Sequence, residues 1–254
     1  MIASKLLLTK YQNGILSLLM KNNRIEEISY SSLHDNGKIG DIYVAKVLNV
    51  VKNINAAFID YQKGKRGYLP ISSKYVPVLL NRTYDGRILA GDEILVQMEK
   101  EAIREKEPVF TMNLSLAGKY SVVTNANTTK SVSSKLGKQD RERLRECIPS
   151  ECEYGIVIRT NAKELLQRGD LSALETECSQ LIMQMDKLLR EGIHRTCYSQ
   201  VYQAPASYLT ELRDHTSWEY EQIVTDDETI SELNSELENQ QDESEKTNYY
   251  VDLE

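Results

Sequence analysis

Between residues 40 and 70 the sequence GDIYVAKVLNVVKNINAAFIDYQKGKRGYLP alternates apolar and polar positions in short bursts. Ile42, Val44 and Lys46 interleave with Tyr43, Ala45 and Val47, and two further apolar runs, 56–60 and 67–69, follow polar breaks at 52–55 and 62–65. Period-two alternation with asparagine and glycine in the breaks predicts three short strands joined by tight turns. Upstream, apolar runs at 5–8, 15–20 and 24–30 are separated by Gln12-Asn13-Gly14 and Lys21-Asn22-Asn23. Asn-Gly is among the strongest short hairpin signals, so the opening segment reads as a strand meander. Residues 31–38 then read as an exposed linker.

Downstream, residues 93–98 predict a last barrel strand and 100–106 a charged loop. From Phe110 the pattern changes to strands alternating with helices. Residues 120–124 and 154–160 are apolar and β-branched, and 139–147 is a charged helix with Leu144 facing inward. Asp170 is placed to cap the longest helix, in which Leu171, Leu174, Cys178, Leu181, Met185 and Leu188 recur at three- or four-residue spacing. A strand over 221–224 and a helix from Asp227 complete the series, and 240–247 is polar enough to stay mobile. Together these patterns predict an α+β protein: a sheet-and-helix domain into which a small β-barrel is inserted between about 37 and 110.

Composition changes this picture in two places. The net charge of −7 would disfavour a nucleic-acid partner if spread evenly, but residues 211–254 hold fifteen acidic side chains against Arg213 and Lys246. That end carries −13, so the first 210 residues carry +6 by subtraction, which is compatible with binding RNA. The four cysteines, Cys147, Cys152, Cys178 and Cys197, match no zinc-ligand spacing, and only His34, His194 and His215 could assist. Free thiols are expected. With no apolar run of membrane-spanning length and no signal-peptide pattern, a cytoplasmic protein without membrane contact is expected.

Three features could carry chemistry. Phe58 and Tyr68 on the outer face of the barrel would form an aromatic platform ringed by Lys46, Lys63, Lys65 and Arg66, able to stack the bases of single-stranded RNA. Spacing alone leaves open the alternative that both rings are core. In the stretch Ser115-Leu116-Ala117-Gly118-Lys119-Tyr120-Ser121-Val122, glycine would let a ligand approach the backbone closely. At Arg159-Thr160 a guanidinium and a hydroxyl leave the end of an apolar strand together, a combination suited to phosphate oxygens but more often a surface ion pair and a cap.

The pattern G-x-I-Y-x-x-K-V, A-A-F-I-D-Y and G-Y-L-P, followed by S-L-A-G-x-Y-x-V and R-T, resembles the ribonuclease E/G family of bacterial endoribonucleases. The resemblance, RNase G-like in kind, covers nearly the whole chain. It implies an RNase H-like sheet-and-helix domain interrupted by a five-stranded OB-fold barrel of S1 type. Residues 1–36 would be the first strands, 37–110 the S1-type domain, 111–240 the remaining RNase H-like part with a 5′-end sensor, and 241–254 a mobile acidic end. It implies RNA contacts by Phe58, by Tyr68 where phenylalanine is usual, and by Lys106. It implies a 5′-monophosphate pocket of Gly118, Val122, Arg159 and Thr160. Family members cleave single-stranded RNA in rRNA processing and mRNA decay with Mg²⁺ held by two aspartates of a later DNase I-like subdomain. No convincing counterpart of those aspartates occurs before Glu254. The acids Asp226, Asp227 and Glu228 fit better as favourable charges at a helix start. The chain is therefore expected to bind no metal and to be inactive alone, with its full-length protein a homo-oligomer. A C-P-x-C zinc-link motif is also absent. The alternative is a complete noncatalytic S1-type RNA-binding protein. The reading frame after Glu254 separates the two: a further stretch with two spaced aspartates favours the enzyme.

Overall fold

The computed structural model describes residues 4–32, 37–104, 106–125, 127–205, 210, 222–225 and 249–251. The chain divides into two compact units, one made of 1–36 with 205–254 and the other of 37–204.

In the first unit, β1 (Ser4–Tyr11), β2 (Gly14–Lys21) and β3 (Arg24–Ser32) form the expected antiparallel meander. The second turn places Asn22 and Asn23 at φ +50° and +57°, the left-handed backbone that asparagine tolerates and that matches the twist of a hairpin. Two later strands, described below, add to the free edge of β1 in parallel.

The second unit opens with a closed barrel. Its strands are β4 (Ile42–Val51), β5 (Ala56–Gln62), β6 (Lys65–Pro70), β7 (Glu93–Lys100) and β8 (Val109–Thr111). They pair in the order β4-β5-β6-β8-β7, and β7 returns to β4. Order and closure are those of an OB-type barrel. The fifth strand lies at the very end of the stretch expected to be barrel. The alternation in β4 divides one strand between two cores: Tyr43, Ala45 and Val47 fill the barrel, while Ile42 and Val44 pack outward against the helical layer. Tyr43, Tyr61 and Phe110 meet inside, with ring centroids 4.9–6.3 Å apart. Gly67 is required beside them, because a Cβ there would stand 2.4 Å from the Phe110 ring.

The outward side of β4 and β7 is covered by a second layer. It contains β9 (Ser115–Ala117), β10 (Ser121–Thr124), β11 (Lys130–Val132), α1 (Lys138–Glu146), β12 (Gly155–Ile158), α2 (Lys163–Arg168) and α3 (Ser172–Gly192). The four strands form a sheet of order β11-β12-β10-β9. The stripe on α3 is as read from the sequence: Leu174, Cys178, Leu181, Met185 and Leu188 are buried, and Leu171 packs beside them. Each such side chain contributes roughly 1.5–3 kcal/mol on burial, which holds the helix against the sheet. Asp170 accepts a hydrogen bond from the Ser172 N–H at 2.9 Å, and that bond draws its carboxyl below the usual aspartate value. Finally β13 (Gln200–Tyr202) pairs with β4, and Asp41, 2% exposed, accepts from the N–H groups of Lys38 and Ala204 and from the Tyr43 hydroxyl. One carboxylate thus joins the two ends of this unit.

The remaining strands of the first unit are β14 (Gln222–Thr225) and β15 (Tyr249–Val251), giving a sheet of order β15-β14-β1-β2-β3. β15 lies within the end expected to be mobile. The helix expected from Asp227 and the polar run 240–247 lie outside the described residues. The stretch 111–204 groups with the barrel rather than with the opening strands, because its helices share a core with the outer side of β4 and β7.

Candidate functional site

β5 carries Phe58 between buried Ala57 and Ile59, and β6 carries Tyr68 between buried Gly67 and Leu69. Alternation therefore turns both rings to the outer surface, and neither enters the barrel interior. They stand directly opposite in the ladder, edge to face, with centroids 5.9 Å apart and planes at 66°. Both are half-buried. One step along, Asp60 is flanked by Lys46 on β4 and Arg66 on β6, and Lys63 and Lys65 are exposed around the Gly64 turn. Among the described residues a buried oxygen of Asp60, Oδ1, accepts no hydrogen bond. Lys106 is exposed in a tight turn, its N–H donating to the Ile103 carbonyl at 3.0 Å.

The second group of residues gathers at one end of β10 and β12. Gly118 and Ser121 close the hairpin between β9 and β10, the Gly118 N–H donating to the Ser121 carbonyl at 2.8 Å. Arg159 follows β12; its N–H donates to the Tyr120 carbonyl and its Nη1 to the Gly118 carbonyl, both at 2.7 Å. Val122 is half-buried opposite Ala117 and Val157. Thr160 is exposed, its hydroxyl 2.9 Å from that of Ser133. The structure thus joins Gly118 to Arg159 directly and sets Val122 and Thr160 on the same two strands and their ends.

One residue here escaped the sequence reading. Glu177, on α3, accepts from the backbone N–H groups of Lys119 at 2.7 Å, Tyr120 at 3.0 Å and Ser121 at 2.8 Å, and from the Ser121 hydroxyl at 2.8 Å. Backbone donors beside Gly118 were expected to face a phosphate; those of 119–121 face this carboxylate instead. The glycine is explained by the same contact. A Cβ on Gly118 would lie 2.3 Å from the Glu177 carboxyl carbon. A signal was present: Glu177 is three residues after Leu174 and four before Leu181, a charged group at an apolar-stripe spacing, and such a group needs partners.

Around this turn Glu164 accepts from the Tyr120 hydroxyl at 2.7 Å and pairs with Lys119 Nζ at 3.0 Å. Burial, then the Glu164 carboxylate, push the Tyr120 hydroxyl well above the usual tyrosine value. All four cysteines are free thiols, and burial raises those of Cys147, Cys178 and Cys197.

A closed five-stranded barrel of OB type bearing an outward aromatic pair, with a sheet whose hairpin positions an arginine, defines an α+β protein. A family model described as the ribonuclease E/G family matches residues 115–253, more than half the chain. The chain belongs to the ribonuclease E/G family. Ribonuclease E of Escherichia coli (strain K12) is 24% identical over 235 residues, covering 87% of this chain and 22% of that protein. Ribonuclease E of Synechocystis sp. is 28% identical over 211 residues, 80% of this chain and 30% of that protein. Ribonuclease G of Haemophilus influenzae is 25% identical over 243 residues, 89% of this chain and 48% of that protein. The chain therefore spans between about a fifth and a half of these relatives.

Proposed function

We propose that this chain is the RNA-gripping and 5′-end-sensing portion of an endoribonuclease that cleaves single-stranded RNA in rRNA processing and mRNA decay. Phe58 and Tyr68 stack bases, cations around them hold the backbone, and Lys106 adds a phosphate contact. Arg159 and Thr160 bind a 5′-monophosphate beside Gly118 and Val122. The observation that carries this reading is the 2.7 Å bond from Arg159 Nη1 to the Gly118 carbonyl, which unites two separate family motifs in one place. A guanidinium so oriented suits a phosphoryl group carrying nearly two charges, and Thr160 adds a donor.

The first unit supports an RNase H-like assignment through its strand order, with an antiparallel trio extended by two parallel strands beside β1. Magnesium, which the family implies, would be held by two aspartates of a later subdomain. Among the described residues no three His, Cys, Asp or Glu side chains come together as metal ligands. Among the same residues no helix is long and apolar enough to cross a membrane. Homo-oligomerisation belongs to the full-length protein.

The test is the affinity of the chain for one short single-stranded RNA carrying either a 5′-monophosphate or a 5′-hydroxyl, at one stated salt concentration. Tighter binding of the monophosphate by about tenfold or more is expected, the worth of a charge-assisted hydrogen bond. Equal affinity removes the sensor.

A further inference from the structure

We infer that Glu177 is a positioning residue for Arg159, acting through the hairpin turn that both touch; this role rests on the 5′-phosphate reading above. A two-residue hairpin ordinarily closes with two bonds exchanged between its flanking residues. Here the Gly118 N–H donates to the Ser121 carbonyl, but the Ser121 N–H is turned to Glu177. The Gly118 carbonyl, left without that partner, accepts from Arg159 Nη1 instead. Glu177 therefore sets which donor reaches the Gly118 carbonyl, and that carbonyl fixes one edge of the guanidinium.

The anion-binding turn is not itself a ligand site. Ser121 is 0% exposed, so neither phosphate nor water reaches the two donors, N–H and hydroxyl, that it gives to Glu177. Its charge is also solvated in place, since three backbone dipoles and a hydroxyl converge on it, and it repels an incoming phosphate less than a bare carboxylate would. Gly118 completes the device, because any side chain there would collide with the carboxylate. Without Glu177, the Ser121 N–H has an obvious new acceptor in the Gly118 carbonyl, in competition with Arg159.

The experiment uses the full 254-residue chain and the same RNA with either 5′ end. Glu177→Gln keeps the shape but presents an amide NH₂ to backbone donors, so only one of its two polar ends can accept. The ratio of the two dissociation constants should fall by about three- to tenfold, with affinity for the 5′-hydroxyl RNA unchanged. The Glu177→Gln/Arg159→Gln double variant should match Arg159→Gln alone, as two residues acting through one contact must. A folded Glu177→Gln protein with the wild-type ratio overturns the role. If that variant does not fold, Glu177→Asp, which keeps the charge but shortens its reach to the Ser121 N–H, reads the same ratio: a fall supports the role and no change overturns it. A wild type that does not discriminate the two ends overturns the 5′-phosphate reading itself, whereas discrimination that Arg159→Gln abolishes and Glu177→Gln leaves intact overturns the positioning role alone.

Discussion

The aromatic pair on the barrel and the arginine at the hairpin are built in opposite ways. Phe58 and Tyr68 are brought together by the pairing of adjacent strands ten residues apart, and their outward direction follows from alternation within each strand. The Arg159 group depends on contacts between distant segments: Gly118 to Arg159, and Glu177 to Lys119, Tyr120 and Ser121. The first kind of site tolerates change because its groups lie at the surface. The second is tied into buried backbone, so a change that weakens it also costs stability.

The sharpest break between the two should come from glycine. Gly118→Ala drives a methyl group into the Glu177 carboxylate and strips partners from buried donors, which should cost about 2–4 kcal/mol in urea unfolding. A change within about 0.5 kcal/mol would show that the turn can release Glu177 without loss. Phe58→Ala should behave the other way. Single-stranded RNA should bind about 1–3 kcal/mol more weakly, while stability falls by no more than the roughly 0.5–1.5 kcal/mol of an aromatic pair. A protein that unfolds instead would make the ring part of the barrel's support.

A smaller effect separates the barrel's own scaffolding from both sites. Arg82 grips Asp92 with Nε at 2.6 Å and Nη2 at 2.8 Å, and the Leu89 N–H adds a third bond at 2.7 Å. The Arg82 guanidinium, against the opposing effect of burial, holds the Asp92 carboxyl below the usual aspartate value. A carboxyl depressed in the folded state contributes stability that is complete above the unfolded value of about 3.9 and is lost as pH falls from there through the lower folded one. Asp92→Asn should therefore remove part of the acid sensitivity of unfolding, on the order of 1 kcal/mol, and leave RNA binding at neutral pH unchanged. An unaltered acid limb in the variant would assign that sensitivity to other carboxylates.

What could be read from the sequence follows the same division. The meander, the barrel strands from Ile42 to Met98 and the α3 stripe all express local periodicity, and all are seen; which face of the barrel Phe58 occupies is left open by periodicity and follows from the family motif. β8 was harder to place because three residues after Pro108 carry almost no periodicity; its pairing is decided by Phe110 entering the barrel beside Gly67. β11 and β13, each three residues long, were not legible for the same reason. Glu177 was visible only as an anomaly within an apolar stripe, since its partners lie 56 to 58 residues away. The phosphate role proposed for Arg159 and Thr160 comes only from the family motif, because a strand-end Arg-Thr has many ordinary uses.

The central claim is that stacking and 5′-end sensing are separate contributions made by separate residues. The direct measurement is a set of titrations of wild type, Phe58→Ala and Arg159→Gln with one short RNA bearing a 5′-monophosphate or a 5′-hydroxyl, at a single salt concentration and to saturation. The account predicts that Phe58→Ala weakens both RNAs equally and keeps their ratio, while Arg159→Gln brings the ratio to about one and leaves 5′-hydroxyl binding as in the wild type. A ratio unchanged by Arg159→Gln, or abolished by Phe58→Ala, would contradict it.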